Sequence, residues 1–197
     1  LDVAAGTGTF LEHTIRHIHS SLPARKRELG GFWNDYVQND LLPRLYGFEL
    51  LMASYAMCHL KLDLVLQNLG YTMEEAKKKQ RLNVYLTNTL EPAKDIPDLF
   101  NPALAQEAEN ASRIKRHMPI IVAMGNPPYT GESSNKGDYI QGLMEAHKKE
   151  PGGEIKLQER NPKWINDDYV KFMRFGETLA TGEDESGKAA PAKQGIM

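Results

Sequence analysis

The stretch LDVAAGTGTFLEHTIRHI, residues 1–18, joins a short apolar segment to an amphipathic segment through a turn that contains two glycines. Leu1 to Ala4 predicts the end of a strand, and Gly6 and Gly8 predict the tight turn that follows it. The next side chains fall on one face of a helix: Phe10, Leu11, Thr14, Ile15 and Ile18. This strand–turn–helix unit is the first of several along the chain.

Three further apolar runs predict strands, and helical sequence separates them. The predicted strands are Leu45–Phe48, Leu82–Leu86 and Pro119–Met124. The predicted helices are Leu50–Asn68, Glu74–Gln80 and Pro97–Arg116, with a further helix near Phe32–Leu41 inside an insertion at residues 20–44. Each strand is a continuous apolar run, which is typical of a parallel sheet covered on both faces. The prediction is therefore an α/β fold with a doubly wound, incomplete sheet of four strands.

The predicted domain covers residues 1–178, and residues 179–197 are predicted to be a disordered tail. From Gly182 onward the sequence is rich in glycine, alanine and lysine and has little to bury. Leu1 to Val3 has the character of a strand that is already under way. We therefore expect the chain to be a piece of a longer protein.

The bulk composition is that of a globular protein. With 197 residues, 41% of them hydrophobic and 25% charged, the chain is long enough to build a core. A net charge of −2 gives no overall basic field toward nucleic acid or an anionic membrane. The one cysteine, Cys58, excludes a disulfide framework or a cysteine-rich zinc site and fits a reducing compartment, so we expect a cytoplasmic protein. No apolar run is long enough to span a bilayer, and no membrane partner is predicted.

Three minor features carry weaker predictions. His13 and His17 have the i,i+4 spacing of metal ligands, but no carboxylate or cysteine completes a site, so no metal is predicted and both are expected on an exposed helix surface. Trp33 and Trp164 are predicted to be packing residues. The polar, Gly/Ser-rich segment 130–138 is predicted to be a mobile loop.

Informative residues stand where the predicted strands end, which is where ligands bind in sheets of this kind. Glu49 closes the second strand, and its carboxylate can accept both ribose hydroxyls of a nucleoside. The alternative for Glu49 is a solvated charge near the start of the next helix. The turn at Gly6 and Gly8 lacks the third glycine of a dinucleotide site and the Gly-Lys-Ser/Thr of a Walker loop. A plain strand–helix turn is therefore the alternative to a ligand site there.

The stretch GNPPYTG, residues 125–131, ends the fourth predicted strand in a stiff corner. Proline has no N–H and fixes its own backbone angle, so Pro127 and Pro128 leave carbonyl oxygens without competing donors. With the side-chain oxygen of Asn126, the corner can accept both N–H groups of a planar amine and stabilise the positive charge that develops when the nitrogen attacks a methyl sulfonium. Tyr129 offers a flat face on which a base can stack. The alternative is a type I turn with proline at its second position.

These two stretches carry a resemblance to a known family. LDVAAGTGTF resembles motif I, and GNPPYTG resembles motif IV, of the N6-adenine DNA methyltransferases that use S-adenosylmethionine. The wider context, TGESSNKG followed by NPKWINDDYVKFMRF, is similar to the large single-polypeptide restriction-modification enzymes. The resemblance implies a Rossmann-like methyltransferase sheet, S-adenosylmethionine as cofactor and double-stranded DNA as partner. It also implies nuclease, helicase and target-recognition domains in a parent chain.

The resemblance assigns roles to individual positions. It implies that Asn126, Pro127 and Pro128 hold the target amine and that Tyr129 stacks on the flipped adenine. The implied cofactor site comprises Asp2, Ala4, Ala5, Gly6, Thr7, Gly8, Thr9, Phe10, Glu49, Leu50, Asn88 and Leu90. Asn88 stands where the family usually has an aspartate for the adenine amine of the cofactor, and an asparagine can still accept through its oxygen. After Phe175 the sequence departs from the family pattern, and the later strands are missing.

Two further interpretations stay open at this point. The corner also suits other planar amides, which allows methylation of a glutamine or of an RNA base. The departure after Phe175 allows an inactive, truncated remnant.

Overall fold

The computed structural model describes residues 1–28, 30–72, 81–93, 102–131, 133–150, 155–158 and 164–182. The chain divides into two compact units, residues 1–86 and 87–197. Helices and parallel strands alternate in the first unit, so the fold is α/β, as predicted. Within these described ranges, no helix has the length and apolar character needed to cross a membrane.

The first unit is built on two short parallel strands, β1 and β2. β1 covers Tyr46–Glu49 and β2 covers Asn83–Leu86, each within a residue of the predicted runs. Helices α1, α2, α3 and α4 span Thr9–Ser21, Ala24–Glu28, Gly30–Tyr36 and Met52–Asn68. A π-helical turn at Val37–Leu41 and a 3-10 turn at Leu42–Arg44 complete the insertion.

The amino-terminal segment adds to the sheet beside β1. Asp2 forms a parallel bridge with Gly47, and the amide of Asp2 donates to the carbonyl of Tyr46 at 2.8 Å. On the other edge of β1, Tyr46 to Glu49 pair in register with Asn83 to Leu86. β1 therefore lies between Asp2 and β2, and its four residues are all buried. Asp2 pairs with β1 through a single bridge, so the described sheet itself has two strands, β1 and β2.

Close packing around Gly47 positions the start of α1. A side chain on Gly47 would meet Leu11 at 3.0 Å and both Ala5 and Val84 at 3.3 Å. Of the face that the sequence predicts for α1, Leu11 and Ile15 are fully buried, Thr14 and Ile18 are half-buried, and Phe10 is 45% exposed. The turn before α1 is therefore held against the carboxyl half of β1.

The second unit is mostly helical in its described parts. Helices α5, α6 and α7 span Pro102–His117, Asp138–Met144 and Asp168–Thr181. Short 3-10 turns cover Ala146–Lys148 and Trp164–Asn166, and Lys149 forms an antiparallel bridge with Lys156. The helix α7 runs three residues past the predicted start of the tail, and residues 183–197 lie outside the described part of the chain.

Two predictions are corrected here. The run Pro119–Met124 is not a regular strand among the described residues: only Val122 and Met124 are bridge residues, and Ile121 is 63% exposed. The doubly wound sheet of four strands therefore stays a prediction. Trp33 is buried as predicted, but Trp164 is 60% exposed and is not a packing residue. The predicted helix Glu74–Gln80 lies outside the described residues.

Candidate functional site

The glycine turn, residues Ala5–Gly8, links the amino-terminal segment to α1. Gly6 and Gly8 have φ values of +55° and +81°, which favour glycine. The amide of Gly8 donates to the carbonyl of Ala5 at 2.8 Å, and the amide of Ala5 donates to the carbonyl of Phe48 at 2.9 Å. A side chain on Gly6 would meet nothing within 4 Å, whereas one on Gly8 would meet the Sγ of Cys58 at 2.6 Å. The turn is therefore open at Gly6 and packed against α4 at Gly8.

Glu49 joins this turn to the end of β1. Its Oε2 accepts the amide of Gly6 at 2.8 Å, and its Oε1 accepts the amide of Leu51 at 2.8 Å. Glu49 is buried, with 9% of its surface exposed, so the alternative of a solvated helix charge is wrong. Each carboxylate oxygen keeps a second acceptor position. Glu49 can therefore hold the turn and still accept a hydroxyl donor.

Asp2, which pairs with Gly47 of β1, carries a second carboxylate, and it is fully buried. Its Oδ1 accepts the amide of Ala4 at 3.1 Å, while its Oδ2 has no partner in the described residues. Burial raises the pKa of Asp2 to about 6; the charge of Glu49 adds to the rise, and the amide of Ala4 opposes it. Asp2 thus titrates near neutral pH and presents no open surface to a ligand.

The remaining predicted cofactor residues of the first unit offer a mixed surface. Thr7, Thr9, Phe10 and Leu50 are exposed, Ala4 is half-buried and Ala5 is buried. Leu50 is 60% exposed directly after Glu49, and Phe10 is 45% exposed in the first turn of α1. An acceptor carboxylate, an open backbone at Gly6 and adjacent apolar surface fit a group that contains a ribose and a planar base.

Asn88 and Leu90 belong to the second unit, in the loop after β2. The Oδ1 of Asn88 accepts the amide of Leu90 at 3.0 Å, and its Nδ2 donates to the Oδ1 of Asn135 at 3.1 Å. Leu90 is buried, and the Nζ of Lys115 on α5 donates to the carbonyls of Asn88 and Glu91 at 2.7 and 2.9 Å. The loop is anchored by its own hydrogen bonds, and Leu90 contributes to the core rather than to an open surface.

The Asn-Pro-Pro-Tyr corner, residues Asn126–Tyr129, is largely open to solvent. Asn126 and Pro128 are exposed, Pro127 is buried and Tyr129 is 73% exposed. Among the described residues, no hydrogen bond occupies the side-chain amide of Asn126. The ring of Tyr129 stacks on Tyr169 of α7, with centroids 4.8 Å apart and planes 15° apart. The corner thus presents two exposed groups: the side-chain amide of Asn126, which has no hydrogen bond among the described residues, and the ring of Tyr129 three positions later.

The segment after the corner has neither helix nor strand in its described residues from 130 to 137, as predicted for a loop, and hydrogen bonds tie it to α7. The amide of Gly131 donates to Asp167 at 2.7 Å, and the Nδ2 of Asn135 donates to Asp168 at 3.1 Å. The Nζ of Lys171 donates to the Oγ of Ser133 at 2.6 Å, and Lys171 itself is only 1% exposed. Burial lowers the pKa of Lys171, and the charge of Asp168 partly offsets this.

Sequence reasoning missed this polar network. Asp168 and Lys171 share the buried face of α7 with Phe175, at helical spacing. Charged residues on the same face as a buried aromatic residue are the signal that predicts a buried polar cluster.

Metal ligands do not gather in the described part of the chain. Within it, no three His, Cys, Asp or Glu side chains are placed to hold a metal ion. His13 is instead hydrogen-bonded to the carbonyl of Thr9 at 2.8 Å.

No protein-family model and no curated protein matches the chain. Solved structures do match it. The ATP-dependent Type ISP restriction-modification enzyme LlaBIII bound to DNA is 20% identical, with a TM-score of 0.62 over 88% of this chain and 11% of that chain. A nuclease-deletion mutant of the Type ISP restriction-modification enzyme LlaGI, in complex with a DNA substrate mimic, is 16% identical, with a TM-score of 0.62 over 90% of this chain and 14% of that one.

A DrdV–DNA complex is 22% identical, with a TM-score of 0.57 over 90% of this chain and 16% of that one. At these identities the likeness is one of fold, and this chain has the fold of a part of each protein. It spans between 11% and 16% of the length of these three solved chains.

Proposed function

We propose that the chain is the core of an S-adenosylmethionine-dependent DNA adenine-N6 methyltransferase within a restriction-modification enzyme. The observation that carries the proposal is the Asn-Pro-Pro-Tyr corner, with the free side-chain amide of Asn126 and the open ring of Tyr129. Support also comes from the fold, which is similar to parts of restriction-modification enzymes solved with DNA. The parent protein is proposed to add nuclease, helicase and target-recognition domains.

The corner would act on the amine through hydrogen-bond acceptors. The side-chain oxygen of Asn126 and the carbonyl of Pro127 accept the two N–H groups of an adenine amine, whose lone pair is otherwise delocalised into the ring. Acceptors fixed in this way would stabilise the positive charge that develops on the nitrogen as the N–CH3 bond forms and the C–S bond of the sulfonium breaks, with S-adenosylhomocysteine as the leaving group. The extra proton on the methylated nitrogen would pass to water at the exposed corner, so no side chain is assigned as a general base. Tyr129 stacks on the extruded base; each such stack contributes about 1–3 kcal/mol, against an extrusion cost of a few kcal/mol.

The glycine turn would hold the cofactor in the first unit. Glu49 accepts the ribose hydroxyls while it keeps its bonds to Gly6 and Leu51. Leu50 and Phe10 supply apolar contact, and the open side of Gly6 allows close approach to the backbone. When bound, S-adenosylmethionine supplies an electrophilic methyl group on a sulfonium.

Asn126→Ala in the intact protein tests the role of the corner. We expect tritiated methyl transfer to duplex DNA to fall by roughly 100-fold or more, because the acceptor of the developing charge is lost. The Kd for S-adenosylmethionine, measured by calorimetry, should stay within about twofold, since Asn126 is assigned to the base rather than to the cofactor.

Asn68→Ala is the matched control, because Asn68 is an exposed asparagine at the end of α4. Methyl transfer that survives in Asn126→Ala would remove the assigned role. Parallel reactions with RNA and with a glutamine-containing peptide separate the alternatives; transfer to either one but not to duplex DNA would contradict the proposal.

A further inference from the structure

Two tyrosine rings are stacked beside the Asn-Pro-Pro-Tyr corner. The rings of Tyr129 and Tyr169 lie 4.8 Å apart between centroids, with 15° between their planes, which is an offset stack. Tyr169 is half-buried in the first turn of α7, whereas Tyr129 is 73% exposed. Tyr129 therefore has one face covered by a ring and its other face open to solvent.

One carboxylate holds the two chain segments that carry these rings. The Oδ1 of Asp167 accepts the amide of Tyr169 at 2.8 Å, and its Oδ2 accepts the amide of Gly131 at 2.7 Å. Asp167 is buried and directly precedes α7, so its position is fixed by the helix start. The backbone two residues after Tyr129 is thus tied to the backbone of Tyr169 through a single side chain.

A second set of contacts supports the same arrangement. The Oδ1 of Asp168 accepts hydrogen bonds from the hydroxyl of Ser133 and from the side-chain Nδ2 of Asn135, and the Nζ of Lys171 donates to the Oγ of Ser133. These bonds join the segment that follows Tyr129 to the first turn of α7. Two sets of hydrogen bonds therefore join the same two chain segments that carry the ring pair.

We propose that Tyr169 is a positioning residue that backs Tyr129 and holds its open face ready to stack on a flipped adenine. The inference rests on the proposed function, and it adds a specific role for a residue outside the corner. An exposed tyrosine alone must be ordered when a base stacks on it, and a ring already fixed on one face avoids part of that ordering cost. If Tyr169 instead occupied the place of the base, its removal would strengthen stacking.

The test compares Tyr169→Leu with Tyr169→Phe in the intact protein. The probe is a duplex that carries 2-aminopurine at the adenine methylated by the wild type, with protein and S-adenosylhomocysteine at saturation. We expect the rise in 2-aminopurine fluorescence to be about 2- to 10-fold smaller in Tyr169→Leu, the range that the loss of one aromatic pair produces. Tyr169→Phe keeps the flat ring and should restore the wild-type rise, and the Kd for the cofactor should not change.

Controls separate a local effect from general damage. Trp164→Leu removes an exposed aromatic residue near the start of α7 and should leave the signal unchanged. If circular dichroism shows that Tyr169→Leu does not fold, Tyr169→Met fills the same space without a flat ring and takes its place.

The outcomes distinguish this inference from the function on which it rests. A wild-type or larger fluorescence rise in Tyr169→Leu overturns the inference, and the larger rise would mean that Tyr169 blocks the ring. Loss of the signal in Tyr129→Ala with full signal in Tyr169→Leu would leave the function standing and remove only this role. A wild-type protein that neither methylates DNA nor raises the fluorescence would overturn both.

Discussion

The carboxylate of Glu49 binds a backbone amide, that of Gly6, which lies 43 positions away in the sequence. It binds the amide of Gly6 and the amide of Leu51, so the geometry of the glycine turn depends on the carboxyl end of β1. A hydrogen bond to a charged acceptor contributes roughly 1.5–3 kcal/mol to stability. The same side chain is proposed to bind the ribose. One orientation of the carboxylate therefore serves both the hydrogen bonds that hold the turn and the proposed contact with the ribose.

Asp2 predicts a pH dependence of stability. Its pKa rises from 3.8 to about 6 in the folded protein, so folding favours the protonated carboxyl. The contribution of Asp2 to the free energy of unfolding is fully present below about pH 4 and is lost as the pH rises through 6. The free energy of unfolding falls by roughly 3 kcal/mol over this range. We expect Asp2→Asn to match the wild type near pH 4 and to be more stable above pH 7, measured as the free energy of unfolding in urea.

Asp63→Asn is the control for this prediction, because Asp63 is exposed on α4. It makes the same chemical change, carboxylate to amide, at a position that is not buried. A difference between Asp2→Asn and the wild type that is constant from pH 4 to pH 8 would show that burial does not perturb Asp2.

The network at the start of α7 makes a prediction about a whole element. Lys171→Met keeps the apolar stem but removes the charged donor that binds Ser133 and Asn135. We expect the amides of Gly131 and Asn135 to exchange hydrogen roughly 10- to 100-fold faster, the effect of losing a charged hydrogen bond. Hydrogen–deuterium exchange followed by NMR measures this directly.

Lys136→Met is the matched control in the same loop, since Lys136 is exposed. It should leave both amides protected. Equal exchange in Lys171→Met and the wild type would mean that Asp167 and Asp168 hold the loop without the lysine.

Among the helices and strands, the sequence predicts those that depend mainly on local sequence pattern. Short apolar runs with polar ends fit buried strands and predict β1 and β2. Apolar positions at helical spacing predict α1, and a long apolar-rich segment that is followed by Gly70 predicts α4. The run Ile120–Met124 has the same composition but lacks a regular ladder, because a strand also needs partners along its length.

The candidate functional residues also fall into those that local sequence pattern reveals and those that it does not. The glycine turn, Glu49 and the Asn-Pro-Pro-Tyr corner are contiguous in sequence or stand at strand ends, so pattern and spacing reveal them. The contacts of Asp168 with Ser133 and Asn135 join residues 33–35 positions apart, and the ring pair joins residues 40 apart. Only the folded chain brings such partners together.

At the scale of the whole molecule, the fold is that of a part of much larger enzymes. TM-scores of 0.57 to 0.62 over 88–90% of the chain accompany identities of only 16–22%. A shared fold does not by itself fix a function, so function must be argued from the site. For this chain the site that carries the argument is the Asn-Pro-Pro-Tyr corner.

The most direct measurement is the identity of the methylated nucleoside. Duplex DNA is incubated with the intact protein and S-adenosylmethionine that carries a deuterated methyl group, then digested and analysed by nucleoside mass spectrometry. We expect label in N6-methyladenine, and roughly 100-fold less of it or lower when Asn126 is replaced by alanine. Label confined to methylcytosine, or DNA without label beside a labelled protein or RNA, would contradict the proposed function.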